Sequence, residues 1–162
     1  MKKKIYFCIT VLMLFCCCPI FASSASQQRK NQVISPNPSL EVKVMKAYRS
    51  GGYVVIDMLF CNISSKDYDF QISILDYVSV YDELGNQYVN NIYGKFTKDG
   101  KMSTHPKTLL PSEVPVRFTL YISDVEEGVT FLPRIILSSC RAKGNPNFNS
   151  GTLTIKNVMI SE

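Results

Sequence analysis

Alternation with a period of two is what most constrains this chain. In residues 114–123, VPVRFTLYIS, the side chains of Val114, Val116, Phe118, Leu120 and Ile122 fall on one face, and Arg117, Thr119 and Ser123 on the other. Residues 68–75, YDFQISIL, set Tyr68, Phe70, Ile72 and Ile74 against Asp69, Gln71 and Ser73. Residues 53–62, YVVIDMLFCN, align Val54, Ile56, Met58 and Phe60. Successive side chains of a strand point to opposite sides, so this pattern predicts half-buried antiparallel strands. Further strands are expected at about 40–48, 77–82, 87–93, 131–140 and 152–160. No stretch keeps a helical period over three turns. Turn signals separate the strands: RSGG at 49–52, and ELGNQ, where Gly85 and Asn86 tolerate positive φ. Seven to eight short strands with such turns predict an all-β chain. The expected architecture is an immunoglobulin-like antiparallel β-sandwich.

The first residues follow a different logic. MKKK is a basic start, an apolar stretch runs from Ile5 to about Phe21, and small residues follow at 22–26. That order is a secretory signal peptide, assigned to residues 1–26. Three cysteines end its apolar part, and a lipoprotein signal would modify one of them. Cys17, preceded by Leu14-Phe15-Cys16, is the best of the three. Ordinary cleavage near Ala22 to Ser26 is preferred, since Ala22-Ser23-Ser24 and Ser23-Ser24-Ala25 are small-x-small sites. Either route exports the protein, to a periplasmic, secreted or lipid-anchored location. Contact with a membrane is expected only through such a lipid. Residues 27–38, polar and with two prolines, read as a flexible tether, and residues 39–162 as the sandwich domain.

Charge excludes one class of partner. The net charge of +5 includes Lys2, Lys3 and Lys4 of the leader, so the mature domain is close to neutral. That is no footprint for nucleic acid. Two cysteines lie outside the leader, Cys61 and Cys140. A pair in an exported protein suggests one disulfide, and two separate thiols are the alternative. Both sit out of phase with the apolar positions of their strands. A bridge deep between two sheets is therefore not expected, although a cross-strand bridge stays open.

Little in the chain resembles catalysis. His105, the one histidine, lies in the polar stretch KMSTHPKT with no nucleophile motif around it. No spaced Cys/His cluster suggests zinc. Acidic groups at Asp67 and Asp69, Asp82 and Glu83, and Asp124, Glu126 and Glu127 lack the spacing of a calcium loop. No cofactor or metal is expected, and the chain reads as a non-enzyme. Residues 90–113 form the candidate binding loop. Tyr93 and Phe96 stand there among Lys95, Lys98, Lys101 and Lys107. Long loops on rigid scaffolds often bind. The plainer alternative, a solvated hairpin whose aromatics cap the sandwich edge, is preferred. Residues 141–151, around Phe148, are a second loop of the same kind. The NIS at 62–64 matches a glycosylation acceptor but reads as a strand end where Asn62 starts a turn.

Three stretches carry a resemblance: CNISS, VSVYDELGNQY and LLPSEVPVRFTLYISDV. Together they resemble the immunoglobulin-like domains of unknown function found in bacterial exported proteins and lipoproteins. Those domains show a strand ending Asn-x-Ser, an Asp-x-x-Gly turn and a Leu-x-Pro-Gly-Glu turn. Asn62, Ser64, Asp82, Gly85, Leu110, Pro111 and Glu113 hold these places, and Ser112 replaces the usual glycine. The resemblance implies a fold but no catalytic residue. The expected function is a non-catalytic cell-envelope module that binds an envelope protein or glycan. The alternatives are an inhibitor or immunity-type protein acting on a secreted enzyme, and a carboxylate-dependent hydrolase.

Overall fold

A computed structural model of the chain describes residues 30–143 and 150–161. Every regular element among them is a strand. In chain order they are β1 (Gln32–Ile34), β2 (Leu40–Ser50), β3 (Tyr53–Asn62), β4 (Tyr68–Tyr81), β5 (Gln87–Tyr88), β6 (Ile92–Phe96), β7 (Lys107–Leu110), β8 (Pro115–Ser123), β9 (Phe131–Lys143) and β10 (Ser150–Met159). They form two antiparallel sheets packed as a sandwich. One has the order β1-β10-β9-β4-β5, with β7 also on β4; the other is β2-β3-β8-β6.

The alternation read from the sequence explains the core. Ile56, Met58 and Phe60 of β3, Phe118, Leu120 and Ile122 of β8, and Ile135 and Leu137 of β9 have no exposed surface. Four phenylalanines bind the two layers together. Phe118 lies 5.3 Å from Phe60 and 4.8 Å from Phe96 between ring centroids, and Phe60 lies 5.7 Å from Phe70 across the layers. Their tilted and edge-on geometries are the ones ring quadrupoles favour. β2 and β3 join through Gly51 and Gly52, both at positive φ, with Ser50 paired to Tyr53. A two-residue turn with both central φ angles positive matches strand twist, and glycine supplies it without strain.

Several expectations need correction. There are ten strands among the described residues, not seven or eight. The segment at 77–82 is the second half of β4, not a separate strand. A bulge splits β4: Ser73 pairs with Ser139 but Val78 with Leu137, which pushes Leu75, Asp76 and Tyr77 outward. The segment at 87–93 divides into β5 and the start of β6, which lie in different sheets.

Part of the segment read as a tether, 27–38, is strand. Gln32, Val33 and Ile34 pair with Lys156, Ile155 and Thr154 along the outer edge of β10. Both prolines come after this strand, so neither removes a ladder donor. Asn37 then closes a turn, its Oδ1 accepting the Ser39 N–H at 2.7 Å.

Cys140 is fully buried instead of facing outward. β9 carries one more residue than β10 between Leu137 and Cys140, because Leu153 pairs with Leu137 and Gly151 with Cys140. That bulge reverses the phase, so Cys140 and Ala142 join Ile135 and Leu137 inside. Cys61 is half-buried on the outward side of β3, and both thiols are free. Cys61 and Cys140 stand in different sheets, one sulfur facing the core and the other facing away from it, which suits the alternative of two separate thiols.

Candidate functional site

The segment singled out as a binding loop contains two strands. Residues 92–96 are β6, residues 107–110 are β7, and Ser103 bridges to Gly94 between them. Alternation then sorts the candidates. Phe96 points inward, 5 % exposed, among the core phenylalanines, which corrects its assignment to a binding surface. Tyr93 and Lys95 point outward. Lys98 and Lys101 are exposed beyond the strand, and the Lys95 ammonium donates to the Lys98 carbonyl at 3.5 Å. Phe148 of the second loop and Cys17 of the leader lie outside the described residues, as does the signal peptide.

Where Tyr93 and Lys95 point is a surface that the sequence did not reveal. Partners directly opposite in an antiparallel ladder share a face. In the four-stranded sheet, Tyr48 pairs with Val55, Val55 with Tyr121, and Tyr121 with Tyr93. One row thus carries three tyrosines across all four strands, a span of about 14 Å at the usual strand spacing. The next row is Lys46, Asp57, Thr119 and Lys95. Tyr53 stands on the other side of the tyrosine row, its ring 5.8 Å from that of Tyr121 at 84°. Lys43 and Arg117 flank Leu59 one row beyond the lysines.

These side chains order one another. All four tyrosines are half-buried although they face outward. The Lys46 ammonium sits 4.3 Å from the Tyr48 ring centroid, and the Lys95 ammonium 5.6 Å from that of Tyr121. Cation–π attraction of this kind contributes about 0.5–1 kcal/mol at exposed sites. Asp57 is only 6 % exposed, although it too faces outward. Its Oδ1 accepts the Thr119 hydroxyl at 2.8 Å, and its Oδ2 lies 3.5 Å from the Lys46 ammonium. A carboxylate sunk beneath the surface and engaged on both oxygens holds Lys46 in place; the charge left outermost is positive.

Other acidic groups serve turns. Asp82 Oδ1 accepts the N–H groups of Leu84 and Asn86, and Oδ2 accepts the Tyr88 hydroxyl at 2.7 Å. Burial acts to raise its pKa, yet these donors outweigh it and hold the carboxyl below its ordinary value. Glu83 accepts the Thr130 N–H, and Asp67 accepts that of Ser112. His105 is exposed, with its Nδ1 3.1 Å from the Thr104 hydroxyl. Among the described residues no three His, Cys, Asp or Glu side chains come together as a metal site.

The residues behind the family resemblance also have structural work. Buried Asn62 donates to the carbonyls of Lys66 and Leu110 and accepts the N–H and hydroxyl of Ser64. Glu113, not Ser112, takes the left-handed conformation, at φ 61°. On the six-stranded sheet a groove of about 740 Å³ runs between Lys107, Asp69, Gln71, Arg141 and Lys143. Phe70, Leu109 and Ala142 also line it, so the cleft mixes polar and apolar surface.

No protein-family model matches this chain, and comparison with curated proteins returns no similar sequence. The two-sheet antiparallel sandwich is as far as the resemblance reaches.

Proposed function

We propose that this is a non-catalytic exported binding module, immunoglobulin-like in topology, that engages a component of the cell envelope. Strand order supports the topology. The layers β2-β3-β8-β6 and β4-β9-β10 follow the chain order in which strands A-B-E-D and C-F-G make a constant-type domain. The observation that carries the binding reading is the tyrosine row with its flanking lysines. Tyrosine offers a large amphipathic contact at low entropic cost, having only two side-chain torsions. Mutual packing lowers that cost further, because half-buried side chains lose less freedom on binding.

A photo-reactive amino acid placed at Tyr93 of the full chain, in the native cell, tests this. It is expected to crosslink to one discrete envelope component, while the same probe at Ser79 on the opposite sheet does not. Equal crosslinking from both positions, or none from Tyr93, would remove the basis for the proposal.

A further inference from the structure

Resting on that reading, we infer that the tyrosine face takes an anionic glycan chain, a polymer of sugars bearing carboxylate or similar acidic groups. Three observations lead there. The first is charge. Lys43, Lys46, Lys95 and Arg117 all face outward on this sheet. In the two central rows the only acid is Asp57, sunk and engaged by Thr119 and Lys46. A partner at this face therefore meets positive charge at both ends of the neighbouring row, Lys46 on β2 and Lys95 on β6, all on one side of the tyrosines.

The second is surface chemistry. Sugar rings present C–H groups that are polarised positive, and these suit the negative face of an aromatic ring. Their hydroxyls suit the phenols of Tyr48, Tyr93 and Tyr121. A lysine resting on a tyrosine ring already marks where positive charge is favoured, and such an ammonium can turn outward to meet an acidic group.

The third is shape. The row runs straight across four strands of one sheet face, whereas protein partners usually insert anchors into desolvated pockets. The apolar side chains beside it are buried Val55, half-buried Leu59 and the exposed Met45 next to Lys46. β2 and β6 are the edge strands of this sheet, and an isolated bridge on each shortens the ladder left for a peptide strand. Ser161 bridges to β2 at Tyr48, and Ser103 bridges to β6 at Gly94. A straight row with cations along one side suits an extended acidic polymer better than a folded surface.

The test uses the protein expressed from its full sequence and purified as its host processes it. The chain has no Trp, and four of its nine tyrosines stand on this face, so a ligand there alters part of the tyrosine emission. Titration with an oligogalacturonate is expected to change that emission saturably. A neutral galacto-oligosaccharide of the same length should bind at least about tenfold more weakly, a difference of 1.4 kcal/mol. Tyr121→Ala should cost roughly three- to tenfold in affinity, the range expected from one aromatic contact. Tyr121→Phe, which keeps the ring, should lose less, and it separates stacking from misfolding. Lys46→Ala with Lys95→Ala should abolish the preference for the acidic sugar. Equal binding of the neutral oligomer, or of polyglutamate, would overturn the inference, as would affinity unchanged in Tyr121→Ala. Should Tyr93 crosslink to an envelope protein while oligogalacturonate has no effect, the glycan inference fails and the binding module stands. If neither responds, both fail.

Discussion

At the scale of single residues, two kinds of side chain carry this structure, and the sequence exposed only one kind. Inward positions such as Ile56, Phe118 and Leu137 are legible because alternation alone assigns them. Asn62 and Asp82 are legible as turn residues for the same local reason. Tyr48, Tyr53 and Tyr121 were missed as a site because they occupy the outward phase of strands read for their inward phase. Their one signal was tyrosine recurring at outward positions of three strands, and only the ladder register turns that into a row. Asp82 supports a prediction at this scale. Its carboxyl is held below the ordinary value of 3.8, so its stabilisation is complete above that pH and is lost as the pH falls below it. Asp82→Asn keeps the shape but turns an amide N–H toward the donors of Tyr88 and Asn86. It is expected to cost about 1–3 kcal/mol at neutral pH and to flatten the loss of stability on acidification. Thermal melts of parent and variant between neutral and acid pH measure this; parallel slopes would count against it.

At the scale of elements, legibility followed the strength of the apolar face. β3, the first half of β4 and β8 carry unbroken inward hydrophobes, and each was found. β6 was found only at its start, inside the strand expected at 87–93, and its remainder fell in the segment read as a loop, because Gly94 at its central inward position breaks the apolar alternation. The structure shows why nothing larger fits. A Cβ at Gly94 would lie 2.6 Å from the Phe118 ring and 2.9 Å from Ile74. Gly94→Ala is therefore expected to destabilise by about 1–3 kcal/mol through overpacking. Denaturant unfolding measures the change, and Gly128→Ala, where no atom lies within 4 Å, is the control. β1 was invisible for another reason. Three residues with a single partly buried side chain, Val33, carry no readable period. The bulges in β4 and β9 also left no local mark, because each is defined by the partner strand. Cys140 was misplaced on that account.

At the scale of the whole molecule, the two layers leave the two cysteines in opposite circumstances. Burial pushes the Cys140 thiol up to about 12, while Cys61 is half-buried on the outward side of the other sheet. Thiolate is the reactive form, so the native protein should alkylate at Cys61 and spare Cys140 until it unfolds. Peptide mapping after brief iodoacetamide treatment, with and without denaturant, reads this out. Equal labelling of both sites, or labelling only after reduction, would contradict the layer assignment. The position of the last described residue matters in a practical way. Ser161 donates its N–H and hydroxyl to the Ala47 carbonyl, one residue from Tyr48. A tag joined directly to Ser161 therefore starts beside the tyrosine row, whereas the described chain begins on the other layer, along β10. A protein immobilised by such a tag would hold its own candidate surface against the support and register as inert. Capture through an exposed lysine of the six-stranded sheet leaves that surface free.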